Sequence, residues 1–150
     1  MKRSPELRPL SREHNVALKL ARDAKQAASS RVERNISEVW RQLSRFWHEE
    51  MAAHFRAEED VIFPLLRGLG QHELVEQLDR EHDAMRVVLE DPSRQDRVRL
   101  DALGHVLIDH VRREEREAFP ILEKLMDEES AQRIRSGLDR LLAHDQREAS

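Results

Sequence analysis

The sequence predicts an all-α protein, an up-down-up-down four-helix bundle carrying an additional short C-terminal helix. Three observations predict it. Glycine and proline number only 4 and 5 in 150 residues, which leaves little material for a strand-and-turn fold. Apolar residues recur every three or four positions through four long stretches, the period of one helical face. The chain also repeats itself. Residues 54–66 read HFRAEEDVIFPLL and residues 110–122 read HVRREEREAFPIL, with LSREH at 10–14 and LDREH at 78–82 ahead of them.

Residues 1–10, with Pro5 and Pro9, read as an extended lead-in, and Ser11 as the N-cap of a first helix over about 12–28. Its inward stripe is Leu10, His14, Ala17, Leu18, Ala21 and Ala24. Ser29 and Ser30 mark a turn. A second helix over about 33–66 carries Ile36, Trp40, Leu43, Trp47, Met51, His54, Glu58, Ile62 and Leu65 on one face. Pro64 falls late in it and should kink or loosen its end. Gly68 and Gly70 close the segment.

A third helix over about 71–90 has the stripe Leu74, Leu78, His82, Met85 and Leu89. After a turn at Asp91, Pro92 and Ser93, a fourth helix over about 95–127 carries Leu100, Leu103, Leu107, His110, Glu114, Ala118, Ile121 and Leu125. Pro120 repeats the place of Pro64. A last helix over about 129–144 has Ile134, Leu138, Leu141 and Leu142 inward and no counterpart in the repeat, so it caps the bundle or serves an interface. Residues 145–150 are expected to fray. The whole of 1–150 reads as one domain, its bundle over about 10–127. The histidines of each helical pair lie at unequal distances from their turn, so the connections must absorb one to two helical turns for them to meet.

Composition excludes several functions. Cysteine is absent, which removes disulfides, thiolate metal sites and cysteine catalysis. Net charge is −4 with no long basic run, so no nucleic-acid partner is expected. No apolar run approaches the roughly 20 residues of a membrane span, and the N-terminus has no signal-peptide core. The expectation is a cytoplasmic protein, monomeric or homodimeric, acting on neither nucleic acid nor membrane.

The chemistry lies in the stripes. A glutamate on an apolar face costs several kcal/mol when desolvated without a partner. Glu58 and Glu114 both stand there, each four residues after a histidine, so that His54 with Glu58 and His110 with Glu114 point inward together. The other two helices add His14 and His82. Six ligand-type groups on one core are most simply compensated by a pair of metal ions, and imidazole with carboxylate suits Fe, Mn or Zn. His48, His72, His105 and His144 read as surface residues, with His105 nearest to joining the site. Glu59, Glu115 and Glu117 read as a solvated face. Glu-x-x-His, the ferritin-type pair, does not occur, so the site is histidine-rich.

Through REHN at 12–15, REHD at 80–83 and the two long repeats, the chain resembles the hemerythrin-like proteins of the HHE cation-binding family, over about residues 10–127. The resemblance implies a non-heme di-iron centre. His14 and His54 would bind one iron, His82 and His110 the other, and Glu58 and Glu114 would bridge them, with an oxo or hydroxo bridge and an exogenous ligand completing the site; Mn or Zn could substitute. Oxygen-carrying hemerythrins have a fifth histidine one turn from the lone histidine of the third helix, where this chain has Leu78 and Arg86. Their last carboxylate follows its histidine by five residues; here the interval is four. The chain therefore fits the broader bacterial HHE group. The implied function is binding dioxygen, nitric oxide or peroxide at an open iron position, for sensing, buffering or detoxification. Two alternatives stand beside it: a metal-handling or regulatory module, and a di-iron enzyme with catalase- or oxidase-like activity. Tyrosine is absent, which disfavours tyrosyl-radical chemistry.

Overall fold

The computed structural model describes residues 2–149, without the side chains of Pro92 and of 143–149. Five helices carry it, and no strand occurs among the described residues. Helix α1 is Arg8–Ala28. Helix α2 is continuous through α-helical Glu33–Phe46, Ala52–Ala57 and Phe63–Gly68, with π-helical Trp47–Met51 and Glu58–Ile62 between them. Helix α3 is His72–Leu89. After a short 3-10 turn at Pro92–Arg94, α4 runs through Arg97–Arg113, π-helical Glu114–Ala118 and Phe119–Leu125. Helix α5 is Glu128–Ala149. No described helix is long and apolar enough to cross a membrane.

Several ends differ from the sequence reading. Helix α1 starts four residues early, with Pro9 in its first turn and no side-chain cap. Proline suits that place, where its missing N–H would have no partner anyway, and Leu7 and Leu10 are both fully buried. Ser11 is therefore helical, and its hydroxyl donates to Glu115 instead of capping. The expected caps occur elsewhere: Asp96 accepts from the Arg99 amide at 2.8 Å and Asp127 from the Ser130 amide at 2.8 Å. Helix α5 does not stop near 144 but continues to Ala149. It packs along the π-helical and central parts of α2.

The late prolines do not simply loosen α2 and α4. Each follows a π-helical segment by two positions, Pro64 after Glu58–Ile62 and Pro120 after Glu114–Ala118. A π turn spends one extra residue, which relieves the clash between a proline ring and the carbonyl four residues back. The extra residue also rotates the helix beyond it. The inward positions become Leu66 and Leu122, both fully buried, where unbroken periodicity places Leu65 and Leu125. Leu125 is 52% exposed.

Two apolar clusters fill the interior. One holds Ala17, Ala21, Trp40, Leu43, Trp47, Met51, Phe55, Met85, Leu103, Leu107 and Val111. The other holds Leu10, Ile62, Phe63, Leu66, Leu78, Ala118, Phe119, Leu122, Ile134 and Leu138. Between them lies a buried polar layer. Trp40 is buried with its indole N–H donating to the Asp96 carbonyl at 3.2 Å, so its polar edge is satisfied while its rings fill the core.

Helices α1 and α4 approach closely because α4 has a glycine at the crossing. A methyl group at Gly104 would lie 2.8 Å from Lys25 Cγ and 2.9 Å from the Ala21 carbonyl oxygen. The backbone oxygen cannot move without moving α1. Gly104→Ala is therefore expected to lower stability by about 1–3 kcal/mol in urea unfolding. Gly68→Ala, which meets nothing within 4 Å, should instead be neutral or stabilising by up to about 1 kcal/mol. Equal effects from the two would contradict the close approach.

Candidate metal centre

Four helices each place one imidazole in the polar layer. His14 comes from α1, His54 from α2, His82 from α3 and His110 from α4, and all four are at most 2% exposed. Glu58 and Glu114 lie one turn after His54 and His110 and are fully buried. Each glutamate is the first residue of a π-helical segment. Phe55 stacks on His82 with ring centroids 3.8 Å apart and 5° between planes, and Phe119 lies against His14 at 5.6 Å. These rings keep water from the faces of the imidazoles.

The inner atoms converge in two sets. His14 and His54 face one another through Nε2 at 3.2 Å, and His82 and His110 do the same at 3.1 Å. The turns therefore absorb the unequal helix lengths. Glu58 Oε1 lies 3.0 Å from His82 Nε2, while Glu58 Oε2 lies 3.3 Å from His54 Nε2. Glu114 Oε1 sits 2.9 Å from His110 Nε2 and 3.3 Å from His14 Nε2. Both carboxylates thus touch both histidine pairs.

The outer nitrogens meet a second set of acids. His14 Nδ1 is 2.7 Å from Glu115, His82 Nδ1 is 2.7 Å from Glu59, and His110 Nδ1 is 2.8 Å from Glu81. His54 Nδ1 faces Glu13 at 3.4 Å. A proton on Nδ1 donated to a carboxylate leaves the Nε2 lone pair pointing inward and makes it a better donor to a metal. Glu59 and Glu115 are therefore not solvated-face acids, contrary to the expectation from sequence. Glu117 is exposed, as expected. Helical periodicity does not single out Glu13 and Glu81, which the structure places behind His54 and His110. Their signal was present: both precede the lone histidine in LSREH and LDREH, and Glu59 and Glu115 are the second acids of the two Glu-Glu pairs. All four outer acids belong to the repeat.

Charge in the layer is strongly coupled. Burial opposes a proton on His54, but the Glu58 charge and nearby Glu13 outweigh it and lift its pKa to about 9. Burial likewise works against protonating His14 and His110, and the surrounding glutamates raise both well above the usual imidazole value. Burial disfavours ionising Glu58, yet His54 and its other partners hold it well below the usual carboxylate range. Burial opposes ionisation of Glu59 and Glu81 too. His82 with Arg86 holds Glu59 at about 2, and His110 with Gln77 and Arg113 holds Glu81 at about 2.

A cation pair suits this donor set. Glu58 Oε2 and both oxygens of Glu114 are buried without a hydrogen-bond partner, and such groups are costly unless something compensates them. Among the described residues two groups could hold an ion: His14, His54, Glu58 and Glu114, and Glu58, His82, His110 and Glu114, with nitrogen and oxygen atoms within 4.8 Å of one another in each. Nitrogen with carboxylate oxygen, and no thiolate, matches Fe, Mn or Zn. The remaining described histidines lie elsewhere: His48 and His72 are exposed, and His105 pairs with Asp101 at 3.6 Å on the surface. The side chain of His144 lies outside the described residues.

A family model described as the hemerythrin HHE cation binding domain matches residues 7–122, a span that contains all six inner groups and all four outer acids. No curated protein and no solved structure matches the chain.

The stability of the metal-free protein should depend on pH in both directions. His14, His54 and His110 are raised, so their contribution is full below the ordinary value of 6.5 and is lost as pH rises, through about 9 for His54. Glu59 and Glu81 are lowered, so theirs is full above 4.5 and is lost as pH falls towards about 2. Urea midpoints of metal-free protein are expected to peak between about 4.5 and 6.5 and to fall by pH 9. A midpoint as high at pH 9 as at pH 6 would contradict the coupled layer.

Proposed function

The chain belongs to the hemerythrin HHE cation-binding domain family, and from that premise we propose that it is a non-heme di-iron protein that binds a small ligand. Dioxygen, nitric oxide and peroxide are the candidates, for sensing, buffering or detoxification. In this reading His14 and His54 hold one ion, His82 and His110 the other, and Glu58 and Glu114 serve both. Mn or Zn could substitute for iron. The observation that carries the reading is the pair of buried four-residue groups sharing the same two carboxylates. A lone metal would leave one imidazole pair and half of each carboxylate without a purpose.

The reading takes residues 1–150 as one domain and α1–α4 as an up-down-up-down bundle. The order in which each helix meets the two apolar clusters supports the topology. Helix α1 passes from Leu10 through His14 to Ala17, and α3 from Leu78 through His82 to Met85. Helix α2 passes the opposite way, from Met51 through His54 to Ile62, and so does α4, from Leu107 through His110 to Ala118.

Iron at this site supplies redox chemistry and open positions for a small exogenous ligand. The chain supplies the rest. Four protein donors per ion are few, and no fifth imidazole completes α3. One turn before His82, Leu78 is buried in the apolar cluster; one turn after it, Arg86 reaches Glu59 at 2.7 Å. Phe55, Phe63, Met85, Leu107 and Phe119 wall the layer against water. Glu59, Glu81 and Glu115 hold imidazole rings in place through Nδ1.

The unpartnered oxygens of Glu58 and Glu114 favour one further reading, a module whose order depends on its loading. Metal affinity is then folding free energy. The two readings share a site and differ in whether a gas changes its spectrum.

Protein grown with added iron is expected to contain about two irons per chain by elemental analysis, the number of groups that share Glu58 and Glu114. A Glu58→Ala/Glu114→Ala variant should lose both. Air or nitric oxide added to the reduced protein should change the visible spectrum. Metal content without any spectral response would favour the loading-dependent module. No bound iron in the wild type would remove the di-iron reading. Because the carboxylates around His14, His54 and His110 raise their pKa values, and a metal takes the deprotonated nitrogen, loading at pH 7 should release protons, measurable with an indicator dye in weak buffer.

A further inference from the structure

We propose that the two metal positions are unequally gripped: the one held by His82 and His110 fills first and releases last, and the one held by His14 and His54 is exchangeable. The inference rests on the di-metal reading above and adds an order of occupancy, set by the acids behind the imidazoles.

The grip behind His82 and His110 is complete. Glu59 takes His82 Nδ1 at 2.7 Å and is itself clamped by Arg86, with Nη2 2.7 Å from Oε1 and Nη1 2.7 Å from Oε2. Glu81 takes His110 Nδ1 at 2.8 Å. Its second oxygen accepts from Arg113 Nε at 3.1 Å and from Gln77 at 3.1 Å. Glu59 is fixed by a guanidinium through both of its oxygens, and Glu81 is held by Nε and Nη2 of Arg113 at its one oxygen Oε2. His82 is further held by the stacked Phe55 ring.

The grip behind His14 and His54 is half made. Glu115 takes His14 Nδ1 at 2.7 Å and is supported by Ser11 at 2.7 Å and Arg3 at 3.3 Å. His54 is different. Its Nδ1 and the facing Glu13 Oε2 are 3.4 Å apart, and both atoms are buried without a hydrogen-bond partner. No arginine or lysine pairs with Glu13 among the described residues. Glu50 stands close enough for the Glu13 charge to push its carboxyl pKa up, after burial, so Glu13 has an acidic rather than a basic neighbour. His54 is thus the one imidazole of the four whose outer nitrogen has no hydrogen bond to hold its ring and proton.

An outer partner of a metal-bound histidine changes affinity by about 10–100-fold. One missing bond of this kind separates the two positions by that order. Glu81 and Glu59 act through the histidines they hold and are positioning residues for the tight site. Glu13 has the same place in the repeat as Glu81, one residue before the lone histidine, but without a guanidinium behind it.

The test is a Co²⁺ titration of metal-free protein, followed by d–d absorption and calorimetry, with a chelator chase of the loaded protein. Wild type is expected to bind two equivalents in steps separated by at least about 10-fold. The chelator should remove one equivalent fast and one slowly. Glu81→Gln, which keeps size and polarity, should weaken the first step and shrink the separation, whereas Glu13→Gln should leave the first step unchanged. His54→Ala should keep a single tight equivalent. Circular dichroism and urea unfolding check that each variant folds. If His54→Ala is too unstable to titrate, the two isosteric glutamine variants and the chelator chase decide alone.

Two equal steps, or loss of the tight step on Glu13→Gln with Glu81→Gln unaffected, would overturn the unequal grip while leaving the di-metal reading intact. Failure of wild type to bind Co²⁺, iron or zinc would overturn both.

Discussion

The structure depends on one constraint: six polar side chains that face one another, two of them carboxylates, are buried between two apolar clusters. Isolated buried charges are costly, and removing one partner of a buried pair costs about 3–5 kcal/mol. The protein meets the constraint by stacking shells of opposite character. Imidazoles surround Glu58 and Glu114, acids stand behind the imidazoles, and Arg3, Arg86 and Arg113 stand behind three of those acids. Each shell compensates the one inside it, and the last reaches solvent, where charge is cheap. In the innermost shell Glu58 Oε2 and both oxygens of Glu114 stay without a hydrogen-bond partner, and they face the place a cation would take.

The helix backbone is adapted to the same layer. A regular helix with His and Glu four apart turns both side chains inward, but it would then carry proline's ring against a carbonyl one turn back. The π-helical segments beginning at Glu58 and Glu114 insert a residue between the His-Glu turn and the proline. They therefore separate two requirements, inward glutamates on one side and tight packing of Phe63, Leu66, Phe119 and Leu122 on the other. That both copies of the repeat use the same device shows that it belongs to the motif and not to a local accident of packing.

Much of this was legible in the sequence, because helical periodicity is a local property. Four stripes, their histidines and the two glutamates follow from spacing alone, and the six groups do share one buried layer. What escaped was what periodicity cannot carry. A π turn changes the period, so unbroken periodicity puts Leu65 and Leu125 inside where the structure has Leu66 and Leu122. Glu59 and Glu115 sit about 100° around the helix from Glu58 and Glu114, a direction that looks like solvent until a neighbouring helix arrives with His82 or His14. Glu13 and Glu81 were hidden for the same reason: each serves a histidine on a different helix. The start of α1 was missed because Leu7 and Leu10 are drawn into the core by tertiary contact, which overrides a plausible serine cap.

The repeat offers a way to separate ancestry of sequence from equality of function. The two halves share LSREH with LDREH and both Glu-Glu pairs, so each half supplies one acid to its own pair and lends another across the bundle. Glu13 and Glu81 serve the histidine of the following helix within their own half, His54 and His110. Glu59 and Glu115 serve the lone histidine of the other half. The inner layer is close to two-fold symmetric, since Glu58 and Glu114 each lie near both histidine pairs. Symmetry ends at the guanidiniums. Arg86 and Arg113 stand on the His82–His110 side, whereas among the described residues Arg3, from the N-terminal segment outside the repeat, is the one arginine serving the other. The two groups around Glu58 and Glu114 thus become unlike without a change in any of the six inner side chains, because imidazole basicity and ring orientation are set one shell further out.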